Sequence, residues 1–156
     1  MSFLILLAAL TLQDNPFPDG DPKPAIEAAK KKAAAENRRV LVLVGDNNSE
    51  PSRAAAAMFK KDKAVAKLIL YEYDVVYRGV HELSKSIGDS LPYLVIMDAD
   101  GKELSGASAP ADSKAMVELL KKHQATPWVA KDVLAKAMKR AAEEKKRVLL
   151  TFGAPW

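Results

Sequence analysis

The sequence predicts an α/β fold, a central mixed sheet flanked by helices, from three observations. Helical and strand periods alternate over about a hundred residues in the order α, β, α, β, α, β, β, α, and such alternation implies a parallel core. Val40 to Val44 is an unbroken apolar run, the mark of a strand covered on both faces. The last two strands flank Asp98-Ala99-Asp100-Gly101, a turn sequence that adds an antiparallel edge.

Each element has its own signal. Phe3 to Leu10 is an apolar run too short to span a bilayer but suited to a signal-peptide core, so residues 1–12 are read as a signal peptide and the protein is expected to be exported, periplasmic or secreted. No Lys or Arg precedes that run and no small-x-small site follows it, so an N-terminal strand is the competing reading. Residues 13–24 hold Pro16, Pro18, Gly20, Pro22 and Pro24, a density that forbids helix interiors and marks a linker. The domain proper is residues 25–124. It opens with a helix from Pro24 or Ala25 to about Glu36, followed by the Val40–Val44 strand. Pro51 then suits a first helical turn, with Ala55, Met58 and Phe59 spaced for burial. Ala64 to Leu68 reads as a short helical turn before a strand from Ile69 to Val75, and a further helix is expected around Val80 to Ile87. The strand Tyr93–Met97 and a partner strand around Lys102 to Leu104 flank the turn. Finally Asp112 caps a helix carrying Met116, Leu119 and Leu120 on one face and ending near Gln124.

Composition narrows the chemistry. The 156 residues are 49% hydrophobic and 28% charged, enough for one sizeable core. The net charge of +4 is concentrated in Lys30-Lys31-Lys32, Arg38-Arg39, Lys121-Lys122 and Lys145-Lys146-Arg147, on or beside predicted helices. Such runs are solvated helix faces, and no aromatics interleave with them to stack on bases, so no nucleic-acid partner is expected. There is no cysteine, which removes disulfides, thiolate metal sites and dithiol chemistry from these residues. No cofactor and no metal is expected. Asp98-x-Asp100-Gly101 has the opening of a calcium loop, but Ala109 stands where the bidentate Glu belongs, and a hairpin turn explains it.

The chain also repeats itself. Arg39 to Asn48 recurs as Arg147 to Trp156 at an offset of 108 residues, and Ile26, Ala29 and Ala33 match Leu134, Ala137 and Ala141 at helical spacing. Residues 130–156 therefore read as the helix and strand that open a second, truncated unit. Val148 to Phe152 would be a core strand without its sheet, an apolar segment prone to self-association.

A basic helix, an apolar strand and Gly153-Ala154-Pro155-Trp156 resemble the approach to the Trp-Cys-x-x-Cys motif of the thioredoxin-like superfamily. In the first copy the matching tetrapeptide is Ser49-Glu50-Pro51-Ser52, with serine at both cysteine positions. The resemblance covers roughly Pro24 to Gln124 and implies a thioredoxin-like fold lacking the redox dithiol. It further implies a cis peptide before Pro92, although an ordinary trans proline opening a strand is the reading from the residues alone. The family's buried acidic residue would fall at Leu43, a second departure from a redox site.

At a helix N-terminus a thiol ionises readily, whereas a serine hydroxyl is far too weak an acid to follow. Ser49 is read as a cap and Ser52 as a tolerated small residue. His81 and His123 are the only histidines and neither sits in a triad context, so no catalytic residue is expected. The expected function is a redox-inactive module that binds an extended peptide or protein partner in a groove formed by Asn48, Ser49, Leu91 and Pro92. The alternative is the front part of a thiol-disulfide oxidoreductase whose active domain opens at Ala130, with cysteine or its selenium counterpart following Trp156; a UGA selenocysteine codon read as a stop would end the chain there, with a nonsense mutation or an imposed boundary as competing readings.

Overall fold

The computed structural model describes residues 15–80 and 90–150. The elements are α1 (Lys23–Glu36), β1 (Arg39–Gly45), α2 (Glu50–Lys61), α3 (Lys63–Glu72), β2 (Tyr73–Gly79), β3 (Tyr93–Met97), β4 (Glu103–Ser108), α4 (Ser113–Lys122) and α5 (Ala130–Glu143). The expected Val80–Ile87 helix, His81, residues 1–12 and Thr151 to Trp156 lie outside the described residues, Val80 itself excepted.

Four strands form one mixed sheet in the order β2-β1-β3-β4. β1 runs parallel to β2 and antiparallel to β3, and β4 closes the hairpin on β3. Side chains alternate across a strand, so β1 divides its apolar run between two layers. Leu41 and Leu43 join Ala55, Phe59, Val65, Met116 and Leu120 in the core under α2, α3 and α4. Val40, Val42 and Val44 join Val76 and the Ala33 side chain of α1 in the layer on the other face. Six of the seven β1 residues are buried, as a strand covered on both faces requires.

Helix ends follow local chemistry. α1 has Pro within its first two positions and stops at Asn37, whose left-handed backbone returns an N–H to the Ala33 carbonyl. Asp62 ends α2 and starts α3, its carboxylate accepting from the N–H groups of Ala64 and Val65, both at 3.0 Å. Hydrogen bonds from Val65, then from the Ser113 side chain and Ala64, hold that carboxyl below the usual carboxylate range.

This cap corrects the sequence reading of Ala64 to Val75. The segment is not a short turn followed by a strand from Ile69; α3 continues to Glu72 and the strand starts at Tyr73. Val65 is buried, Leu68 and Ile69 pack against the same core, and these three are spaced as one helical face. The Arg38 guanidinium donates to the Leu70 and Tyr71 carbonyls, satisfying the helix C-terminus from outside. Strand propensity in Ile69-Leu70-Tyr71 loses to these tertiary contacts. β4 likewise runs to Ser108, past the expected Leu104, because β3 offers partners as far as Tyr93.

The Pro-rich segment is not only a linker. Phe17 is 1% exposed and sits in the core. Its ring meets Tyr77 edge-on at 6.2 Å, and Asn47 clips its main chain from both sides, accepting from the Phe17 N–H at 3.1 Å and donating to its carbonyl at 2.7 Å. Gly45 is required beneath it, since a Cβ there would stand 2.4 Å from the Phe17 ring.

Two expected outcomes follow from this packing. Phe17→Ala lowers unfolding stability by about 3–5 kcal/mol in denaturant titration, the scale of a large buried aromatic. Gly45→Ala costs about 1–3 kcal/mol through overpacking, and a double-mutant cycle finds most of that cost gone once Phe17 is Ala.

Candidate functional site

β1 ends at Gly45 and the chain turns into α2 through Asp46 to Ser49. Asp46 organises the turn, its carboxylate accepting from the Asn48 N–H at 2.9 Å and its carbonyl from the Ser49 N–H at 3.0 Å. Arg53 reaches back to the Asn47 carbonyl at 2.6 Å. Ser49 has extended backbone and its hydroxyl accepts from the Ser52 N–H at 3.4 Å, the geometry of a helix N-cap. Ser52 is fully buried and its hydroxyl has no hydrogen-bond partner. Leu43, fully buried, packs in the core on the α2 side of the sheet.

Across from α2 the Leu91–Pro92 peptide is cis. Pro92 is buried and its carbonyl accepts from Ala109 at 2.8 Å, which ties the entry of β3 to the exit of β4. Between these loops and the first two turns of α2 lies a cleft of about 240 Å³, lined by Pro51, Ala54, Ala55, Met58, Leu91, Pro92 and the Ala109-Pro110-Ala111 loop. Every lining side chain is apolar and uncharged.

The four groove residues expected from sequence are therefore divided. Leu91 and Pro92 line the cleft, whereas Asn48 lines a separate, more polar hollow of about 390 Å³ with Phe17, Asp19, Asp46 and Asn47, over the carboxyl ends of β1 and β2. Ser49 lines neither and stays at the helix cap. Sequence reasoning missed Ala54, Met58 and Ala109 to Ala111. The i, i+4 spacing of Ala54 and Met58 places them on one helical face, but residues so small and apolar give no sign of lining a surface.

The Ser49 hydroxyl is a hydrogen-bond acceptor from the helix, and His123, the one histidine among the described residues, ends α4. What the site does offer is a neutral apolar recess beside the cis Leu91–Pro92 peptide.

Comparison with solved structures identifies the architecture. A disulphide isomerase from Xylella fastidiosa Temecula1 superposes with a TM-score of 0.58 at 21% identity, over 69% of this chain and 95% of that one. A thioredoxin-fold protein from Helicobacter pylori superposes with a TM-score of 0.50 at 14% identity, over 86% and 94%. The fold of this chain is thioredoxin-like. No protein-family model and no curated protein matches the sequence. Among the described residues no helix is long and apolar enough to cross a membrane.

The two serines separate in their expected effects. Ser49→Ala removes the cap and lowers stability by about 1 kcal/mol in thermal or chemical unfolding. Ser52→Ala removes a buried hydroxyl that has no partner, and the same measurement finds it neutral or stabilising.

Proposed function

We infer that this module binds an extended stretch of protein chain along the face where the start of α2 meets Leu91–Pro92, and performs no thiol chemistry with the residues described. The observation that carries the reading is the apolar cleft beside Leu91–Pro92, set against a helix start whose two family redox positions are serines. A bound strand would lie across Leu91, place one apolar side chain in the cleft, and run toward Asn48 and Ser49. Main-chain pairing then supplies affinity and the recess supplies selectivity. The fold resembles that of a protein named as a disulphide isomerase, which is compatible with a polypeptide as partner.

The test is an NMR titration with reduced, carboxymethylated α-lactalbumin, an unfolded chain that carries no free thiol. Amide shifts at Ala54, Met58, Leu91 and Ala109 are expected, and Met58→Glu weakens binding at least about ten-fold by putting a charge into the apolar recess. Absence of shifts at these amides contradicts the reading.

A second reading has its own support. None of α5 is buried, whereas Ala33 of α1, the counterpart of Ala141 in the 108-residue repeat, is fully buried. A helix patterned like α1 but lacking a sheet fits the opening of another unit, in a longer product that would be a thiol-disulfide oxidoreductase. Sequencing the transcript beyond codon 156 decides it. In-frame coding for a Cys-x-x-Cys-like motif supports this reading, and unrelated sequence after a stop removes it.

A further inference from the structure

The segment from Thr126 to Leu150 differs from the rest of the chain in charge and exposure. It holds seven of the 24 Lys and Arg residues but only three of the 20 Asp and Glu, so it alone carries the chain's net charge of +4 and the remainder is neutral. Its helix, α5, buries no residue. On a 3.6-residue period Val133, Leu134, Ala137, Met138 and Ala141 share one side, Lys136 and Lys139 lie opposite, and Lys131 and Arg140 stand at the two borders. Apolar exposure continues on both flanks: Trp128 is 57% exposed before the helix, Met138 58% within it and Leu149 87% after it. Single exposed hydrophobics are ordinary, but an uncovered apolar helix side bordered by cations, with further exposed apolar residues on both flanks in sequence, marks a binding surface.

A second copy is a poor occupant for this surface. Two such segments bring like net charge together, and cations border the apolar side on both edges. The complementary partner is anionic and apolar at once. A helix with a cationic polar side, an apolar side and an aromatic at its start is built to lie in a lipid interface, where Lys and Arg meet headgroups and Trp sits at the boundary. We propose that Thr126 to Leu150 is a peripheral docking surface for an anionic lipid bilayer, which would hold the thioredoxin-like module beside the membrane without spanning it. The salt bridges that Glu144 makes with Arg140 and Lys146, both 2.7 Å, are exposed and exchange readily for lipid phosphate. The attraction is electrostatic at first and apolar once the side chains insert.

The test uses the full chain carrying Trp156→Phe, which leaves Trp128 as the only tryptophan. It is mixed with vesicles of phosphatidylcholine alone or of phosphatidylcholine with phosphatidylglycerol. Expected are co-sedimentation with the anionic vesicles at least about ten-fold stronger than with neutral ones, and a blue shift of Trp128 emission. Binding is lost at about 0.5 M salt. Each cation neutralised among Lys136, Lys139 and Arg140 lowers partitioning about five-fold while the thermal transition of the domain stays in place. Equal binding to neutral vesicles, or no binding, overturns the proposal. Equally tight binding to duplex DNA reduces the surface to a general polyanion site and also overturns it. So does a lipid-free dimer in sedimentation that Met138→Asp dissolves, because the apolar side would then belong to a second copy.

Discussion

Everything in this structure depends on the double coverage of β1. The strand pairs with β2 on one side and β3 on the other, and its alternating side chains feed two separate apolar layers. A strand in that position has fixed register, since a one-residue slip would exchange the two layers. Its end is therefore a fixed point in space. Gly45 lies there, Phe17 covers it, and Asn47 locks the covering segment with two hydrogen bonds. From that point the Asp46–Ser49 turn aims α2, and α2 in turn places Ala54 and Met58 opposite Leu91–Pro92. The cleft is thus a consequence of the core rather than a feature added to it.

The chemistry of the site follows from which atoms stand at the start of α2. A helix N-terminus stabilises negative charge, and in a dithiol site that effect lowers a thiol's pKa into a useful range. A serine hydroxyl begins too far from that range for the same effect to matter. The helix uses Ser49 as a hydrogen-bond acceptor instead. One turn on, Ser52 is enclosed and its hydroxyl has no hydrogen-bond partner, a small cost to stability. Leu43, where the family resemblance implies a buried acid, is an aliphatic residue in the core.

Much of this was legible in the residues, for physical reasons that differ by element. β1, β3 and the helices α1, α2 and α4 carry strong periodicity with caps or prolines at their starts, and they lie where the sequence places them. The α3–β2 boundary was not legible, because Ile69 to Tyr71 suit either structure and the decision is made by Asp62 and Arg38, residues outside the run. Phe17 was hidden by the prolines around it, which describe the backbone and say nothing of where an aromatic ring goes. At the site the Ser49 cap was readable from local pattern, whereas the cis Leu91–Pro92 peptide was expected only through the family resemblance, since the residues alone read as trans. The cleft lining was not readable, since Ala54, Met58 and Ala109 come together only through the packing of α2 on the sheet. Val148 to Leu150, expected as a strand, are exposed and outside any strand, because a strand is defined by its neighbour and these described residues have none.

We propose that the junction of β1 and α2 corresponds to the dithiol position of thioredoxin-like proteins, with two hydroxyls in place of thiols. The direct measurement is the disulfide state and reduction potential of the Ser49→Cys/Ser52→Cys variant, whose two cysteines are the only ones in the chain. The account predicts that they pair within one molecule, that Cys at 49 titrates below an ordinary thiol, and that the variant slowly reduces a protein disulfide. Cysteines that remain unpaired under oxidising conditions, with an ordinary thiol titration at position 49, would contradict it.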